Sequence, residues 1–450
     1  MIILRLFFSL FIAWLLGYLI VYLFDPQKKI PWFEGAALSF LLGQGVLTLL
    51  LFLLLFLPVA NRSIVLTGLI LVFFGAKLFF DKNKVWVKSS FQFNKKGLSL
   101  FLVLLLFVSL TLKVSYSFIE TCSKPEYSWD ASANWTEAGR NYFHADKFSN
   151  KGVIGEMKKS VTSYPRALSL MHYWIFSWLG EDNDQWSKII FPLDLLCLLI
   201  IFYYALKPSR GGLGALAFTY LLCSAPLFLY HSTIGYADLT KTVYFSVGII
   251  YFYRWLQTKQ KNYFWFFGLC LALTTWVKLE GKMLFAIGFA LLLSYLWLGY
   301  RASLRAKLFY VGQYISLFLI IGLPWQLFSL FNHLPDPQTK LSLSLSLFFE
   351  FHQKMYDLMF MEGSWGLFWV IFVAGLLFFF KRQLTGENRY LFLATILFYG
   401  NLLFIYLFFP SAVAEMMATF NRVLLPFYPV AVFNLGVILP VFESKSGVKI

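Results

Sequence analysis

Charge is what this 450-residue chain has least of: Asp, Glu, Lys and Arg together make up 13% of it, and only 22 residues are acidic. A soluble protein carries about a quarter charged residues, so a soluble-domain reading is excluded. Cysteine is scarce too. Cys122, Cys197, Cys223 and Cys270 are scattered, with no CxxC and no Cys/His spacing, so neither a zinc site nor a disulfide framework follows. What fills the chain is apolar: 59% of residues are hydrophobic, and 53 of them are Phe.

A helix of about 20 apolar residues crosses the hydrocarbon layer. Such runs are expected at 2–24, 34–57, 63–80, 97–119, 187–206, 211–229, 239–256, 262–277, 283–299, 306–330, 365–380, 389–409 and 423–442, about thirteen in all. They must be helices, because a backbone amide in lipid has no water to bond and a helix satisfies it internally. The expected fold class is therefore an all-α integral membrane protein, a polytopic helical bundle. The run from Met1 to Phe24 is long for a signal peptide and lacks a small-residue cleavage site, so it is read as a retained helix.

A net charge of +16 would suggest nucleic acid if the basic residues formed one patch or arm. They lie instead in short clusters between the apolar runs, the pattern that encodes membrane topology, and no nucleic-acid partner is expected. Alternate loops carry Lys28 and Lys29; Lys77, Lys82, Lys84, Lys88, Lys95 and Lys96; Lys207 and Arg210; Arg254, Lys259 and Lys261; Arg301, Arg305 and Lys307; Lys381, Arg382 and Arg389; Lys445 and Lys449. The opposite loops hold mainly Arg62, Lys241, Lys278, Lys282 and Arg422. Lys and Arg gather on the cytoplasmic side, which puts the C-terminus inside and, with thirteen spans, the N-terminus outside. The long polar stretches 120–186 and 331–364 then face outward, and loops of this length between packed helices are usually functional. Within the first, Tyr164–Pro165 opens an apolar run from Arg166 to Leu179. That run is too short to cross and is expected as an amphipathic helix lying at the outer interface. The sequon Asn134–Trp135–Thr136 is read as chance.

Few acidic residues fall at outer helix ends, so each can be weighed. Asp130 follows Tyr127–Ser128–Trp129; it is a solvated loop carboxylate or one tuned by aromatic walls. Asp238 lies between the sixth and seventh expected spans, near His231 and Lys241. It is an N-cap, a functional group at membrane depth, or both. Lys278 and Glu280, in Val277–Lys278–Leu279–Glu280–Gly281, are an interfacial pair with a glycine C-cap, or Lys278 is a point charge for a phosphate. Arg422 either snorkels to headgroups or grips a phosphate with its guanidinium fork. Topology puts all four at one outer level. Carboxylates deprotonate an acceptor and cations stabilise a departing phosphate, so the set reads as group transfer from a lipid-linked phosphate donor.

These residues in this order resemble the GT-C fold of polyprenyl-phosphate-dependent glycosyltransferases, of the aminoarabinose transferase and protein O-mannosyltransferase type. The landmarks are Trp129–Asp130 after the first core helix and Tyr164–Pro165–Arg166 with His172 beyond it. They continue with Tyr236–Ala237–Asp238–Leu239, the stretch Leu273 to Gly281, and Arg422–Val423–Leu424–Leu425–Pro426. The resemblance covers 97–450 as a catalytic module and leaves 1–96, three helices, outside the shared core. It implies that Asp130 is the base on the acceptor and that Lys278 and Arg422 hold the donor phosphate, helped by His231 or Arg166. Asp238 would orient the acceptor or join a divalent-metal site, and Glu137, Tyr164, His172 and Glu280 are further candidates for substrate contact. Two departures stand out. Asp130 is followed by Ala131 rather than a second acid, and no large C-terminal soluble domain follows the last expected helix. The implied activity is transfer of a sugar from a polyprenyl phosphate to a lipid, glycan or protein acceptor at the periplasmic face of the inner membrane. The rival reading is a transporter or flippase of lipid-linked glycans; such proteins tend to show internal repeats and ionisable segments near mid-membrane, whereas no convincing repeat is found here and the weighed charges cluster at one face.

Overall fold

The computed structural model describes residues 1–59, 61–80, 98–148, 152–159, 163–335, 343–409 and 420–440. Lys82, Lys84, Lys88, Lys95, Lys96, Lys445 and Lys449, used above for orientation, lie outside the described residues, as does part of the second outer stretch. Every regular element among the described residues is helical. The first four are α1 (Ile2–Phe24), α2 (Trp32–Leu54), α3 (Arg62–Phe80) and α4 (Leu98–Ser123). A π-helical turn (Ala131–Thr136) then leads into α5 (Glu137–Phe148), α6 (Gly152–Lys158), α7 (Ala167–Leu179) and α8 (Asp184–Ser187). The central helices are α9 (Ile190–Leu222), α10 (Pro226–Tyr230), α11 (Ala237–Thr258), α12 (Lys261–Val277) and α13 (Gly281–Leu298). Then come α14 (Leu304–Ile321), α15 (Leu323–Phe331), α16 (Leu347–Tyr356) and a second π turn (Asp357–Met361). The last are α17 (Phe368–Phe378), α18 (Phe380–Gln383), α19 (Asn388–Phe408) and α20 (Phe427–Ile438).

Eight helices among the described residues are long and apolar enough to cross a membrane. The chain is a multi-pass helical membrane protein. Among the described residues each expected span falls mainly on helix, and two of them share the single element α9. That helix is broken at Gly211, whose backbone (φ 67°, ψ 180°) suits glycine alone. Arg210 donates to the carbonyls of Gly436 and Val437 near the end of α20, while Tyr428 Oη near its start reaches Leu221 O at 2.8 Å. The chain therefore turns back at the break, and α9 is two antiparallel spans.

Helices α4, α14 and α19 turn large apolar side chains outward, among them Phe101, Phe107, Phe309 and Phe404, a surface suited to lipid and poorly suited to water. Helix α11 is buried along nearly its whole length. Helices α1 and α2 cross at Gly17 and Gly43, where an added Cβ would fall 1.7 Å from Ser39 O and 1.9 Å from Ala13 O. Small residues let membrane helices approach this closely. Hydrogen bonds tie the pair inward: Trp174 Nε1 to Ser9 O at 3.0 Å, Tyr244 Oη to Leu41 O at 2.6 Å and Trp276 Nε1 to Thr48 Oγ1 at 3.0 Å.

The helix expected after Tyr164–Pro165 forms as α7, but its environment differs from expectation. It is buried on almost every side, packed on α1, α2 and α5, whereas a helix lying on an interface keeps one face exposed. A helix apolar all round belongs inside.

Candidate functional site

Three helix ends and one loop on the same face build the site. Helix α4 ends at Ser123, and the chain beyond it is pinned to the foot of α9. There the buried Lys188 donates from Nζ to Lys124 O (2.9 Å) and Pro125 O (3.1 Å), and Asp184 accepts the Glu126 N–H at 3.2 Å. The pinned segment delivers Asp130 to the start of the π turn, a helix form common at functional sites. Asn134 Nδ2, one turn on, donates to Asp130 Oδ1 at 2.7 Å.

Asp238 sits in the first turn of α11, where a carboxylate is favoured by the helix dipole. It is not the N-cap, which is Tyr236. Its Oδ1 accepts Lys241 Nζ (3.1 Å) from the same helix and Lys278 Nζ (3.0 Å) from the end of α12. Lys278 is held there by a tight junction: Gly281 opens α13, its N–H bonds Lys278 O at 3.0 Å, and Thr274 Oγ1 donates to Gly281 O at 2.9 Å. A Cβ on Gly281 would lie 1.9 Å from Thr274 O, so only glycine permits the turn. Gly281 therefore starts a helix and is not a C-cap. Glu280, in the same turn, stands 3.6 Å from Lys278.

Arg422 closes the cluster. Its Nε and Nη2 donate to Asp238 Oδ2 at 3.0 and 2.9 Å, Nη2 also bonds Asp130 Oδ2, and the guanidinium lies 4.3 Å from the Tyr236 ring centre. It does not snorkel. One guanidinium thus bridges the two carboxylates. The side chains of Asp238, Lys241 and Lys278 are 2%, 3% and 8% exposed, against 17% for Asp130 and 19% for Arg422, so the cluster opens at the Asp130–Arg422 end. Burial opposes the charge on Lys278, but Asp238 and Glu280 outweigh it and hold the ammonium above the usual lysine range. Arg422 is raised in the same way, by Asp238 and Asp130 against burial. Glu280 is held below the ordinary carboxylate range, with Lys278 and Lys241 overcoming burial. His231 lies beside this group, 5.8 Å from the Tyr236 ring. Burial, with Arg422, Lys278 and Lys241 and against Asp238, takes its pKa down to about 3. Its imidazole is neutral, and its buried Nδ1 has no hydrogen-bond partner among the described residues.

Asp130, Asp238, Lys278, Arg422, Glu280 and His231 thus meet. Other candidates do not join them. Arg166 packs over Trp325 at 5.8 Å and lines an adjoining pocket of about 180 Å³ with Asn134, Glu137, Asn141, Glu156 and Lys159. Glu137 there pairs with Arg140 at 2.6 Å. Tyr164 packs on the buried Trp135, ring centres 5.7 Å apart. His172 is fully enclosed in α7, bonded through Nδ1 to Ser187 Oγ at 2.7 Å, and its pKa is also lowered to about 3 by burial; this enclosure removes it from substrate contact. Lys241 and Asn134 were not singled out from sequence as site residues. The signal was present, since Asp238–Lys241 and Asp130–Asn134 stand three and four residues apart on helical turns.

Both oxygens of Asp238 are engaged by cations, so this carboxylate gathers the three positive charges at one point. No group of three His, Cys, Asp or Glu side chains converges among the described residues. The donor set suits an anion.

No protein-family model matches the chain, and no curated protein matches it in sequence. Among solved structures it is similar to ArnT from Cupriavidus metallidurans in the apo state, at 16% identity and a TM-score of 0.49. The match covers 74% of this chain and 59% of that one.

Proposed function

We propose that the chain is a membrane glycosyltransferase that moves one sugar from a polyprenyl-phosphate donor to a lipid, glycan or protein acceptor at the outer, periplasmic face of the inner membrane. The observation that carries this reading is the Arg422 bridge. It unites a partly exposed carboxylate, Asp130, with a cluster of Lys241, Lys278 and Arg422 able to receive a phosphate. The motifs that resemble the GT-C glycosyltransferases support it from the sequence side, with 97–450 as the catalytic module.

In this reaction an acceptor hydroxyl or amine attacks the anomeric carbon of the sugar. A new bond forms there, and the bond from that carbon to the phosphate oxygen breaks. The electron pair leaves with the polyprenyl phosphate, and Asp130 takes the acceptor proton. The phosphate gains negative charge as it departs, and preorganised cations in a water-poor site stabilise that change. Asp238 holds the three cations together against their mutual repulsion.

The test is turnover by the purified chain in proteoliposomes, supplied with polyprenyl-phosphate sugars and an envelope lipid extract. Asp130→Asn should lower kcat by roughly 10²–10⁴-fold with donor binding retained. Full activity in that variant would remove the proposed base.

A further inference from the structure

Building on the reading that this site takes a phosphate donor, we infer that Arg422 masks Asp130 until the donor phosphate takes over its guanidinium. The base is then competent only in a donor-loaded site.

Both Asp130 oxygens are engaged: Oδ2 accepts Arg422 Nη2, and Oδ1 accepts Asn134 Nδ2 at 2.7 Å. A base must reach the proton it removes, and here an arginine and an amide already bond the oxygens it would use. In this arrangement Asp130 presents no unengaged oxygen to an acceptor proton. Arg422 does not need Asp130 to stay in place. Its Nε and Nη2 bond Asp238, its plane lies over Tyr236, and Nη1 makes no hydrogen bond among the described residues. Nη2 is shared between two carboxylates, and the partner at the open end is Asp130.

The weaker of the two links is therefore the one a ligand can reach. A paired charge in contact with water is held loosely, while breaking a buried pair strands a charge. A phosphate oxygen offers the guanidinium fork what the carboxylate offered, so one anion replaces another. The entering phosphate also meets Lys278 and Lys241, which Asp130 does not touch. The exchange sets the order of events: donor first, then proton removal from the acceptor. A site without donor holds its base in an ion pair.

Masking makes Asp130 a competitor of the phosphate, and this is measurable without turnover. Farnesyl phosphate, with farnesol as the neutral control, is titrated into the full chain in nanodiscs, and each variant is checked for an unchanged melting curve. Removing the Asp130 charge should tighten farnesyl phosphate binding by roughly fivefold or more in Asp130→Asn. Arg422→Gln should weaken it by about tenfold or more, and adding Asp130→Asn to Arg422→Gln should change nothing further. Ser132→Ala loosens the same turn, where Ser132 Oγ bonds Trp129 O at 3.0 Å, without touching the charge, and should not tighten binding.

Masking is overturned if Asp130→Asn binds no tighter than wild type, or if the tightening persists without Arg422. It is equally overturned if Ser132→Ala tightens binding as much. Farnesol binding as well as farnesyl phosphate would be a different failure, since it would remove the phosphate site itself.

Discussion

Asp130 and Asp238 carry the same charge and share one arginine, yet their surroundings divide their roles. Asp238 is enclosed with Lys241, Lys278 and Arg422, so its removal strands three cations. Breaking such a buried set costs about 3–5 kcal/mol, and Asp238→Ala should unfold in detergent well below wild type, with activity lost through folding. Asp130, at the open end, should lose turnover on mutation to Asn with little change in melting. His231 makes a second, pH-dependent expectation. Its folded-state pKa is about 3 against an ordinary 6.5. Below 6.5 the unfolded chain takes up a proton that the folded chain refuses until about 3, so stability falls as pH falls through that window. Melting of His231→Gln should therefore drop less than wild type between pH 6.5 and 4. At this scale the sequence was informative because charge is so scarce: Asp130, Asp238, Lys278 and Arg422 stood out against an apolar background. Lys241 did not, since a lysine one turn from an aspartate is also an everyday helix pair. Nor could sequence tell that His172 and Arg166 sit apart, because that depends on which way α7 faces.

Among the elements, apolar runs translated directly into helices, since the backbone in lipid has no other way to satisfy its amides. What stayed hidden was the company each helix keeps. An apolar run reads the same whether lipid or protein surrounds it, and α7 is enclosed by α1, α2 and α5 where an interfacial position was expected. The α1–α2 crossing offers a direct test. A side chain at Gly43 would collide with the Ala13 carbonyl, while one at Gly75 in α3 has nothing within 4 Å. Gly43→Val should cost about 1–3 kcal/mol or more, read as a lower melting temperature in detergent, and Gly75→Ala should be close to neutral.

For the molecule as a whole, the orientation expected from Lys and Arg would put the Asp130–Arg422 cluster outside. Arg210, on the charge-rich side, grips the last carbonyls of α20, a favoured position for a cation at a helix C-terminus. Cysteine labelling in intact cells checks the assignment. With the native cysteines replaced, Lys124→Cys should react with a membrane-impermeant maleimide from outside, and Gln257→Cys only after permeabilisation. Both side chains are exposed, so the reverse pattern would turn the protein over.

The most direct measurement is mass spectrometry of proteoliposomes holding the purified chain, a polyprenyl-phosphate sugar and envelope lipids. The account predicts that free polyprenyl phosphate and a sugar-bearing acceptor appear together in equal amounts, and that Asp130→Asn slows both by the same roughly 10²–10⁴-fold factor. Passage of the intact donor across the bilayer, with no new glycosidic bond, would contradict it.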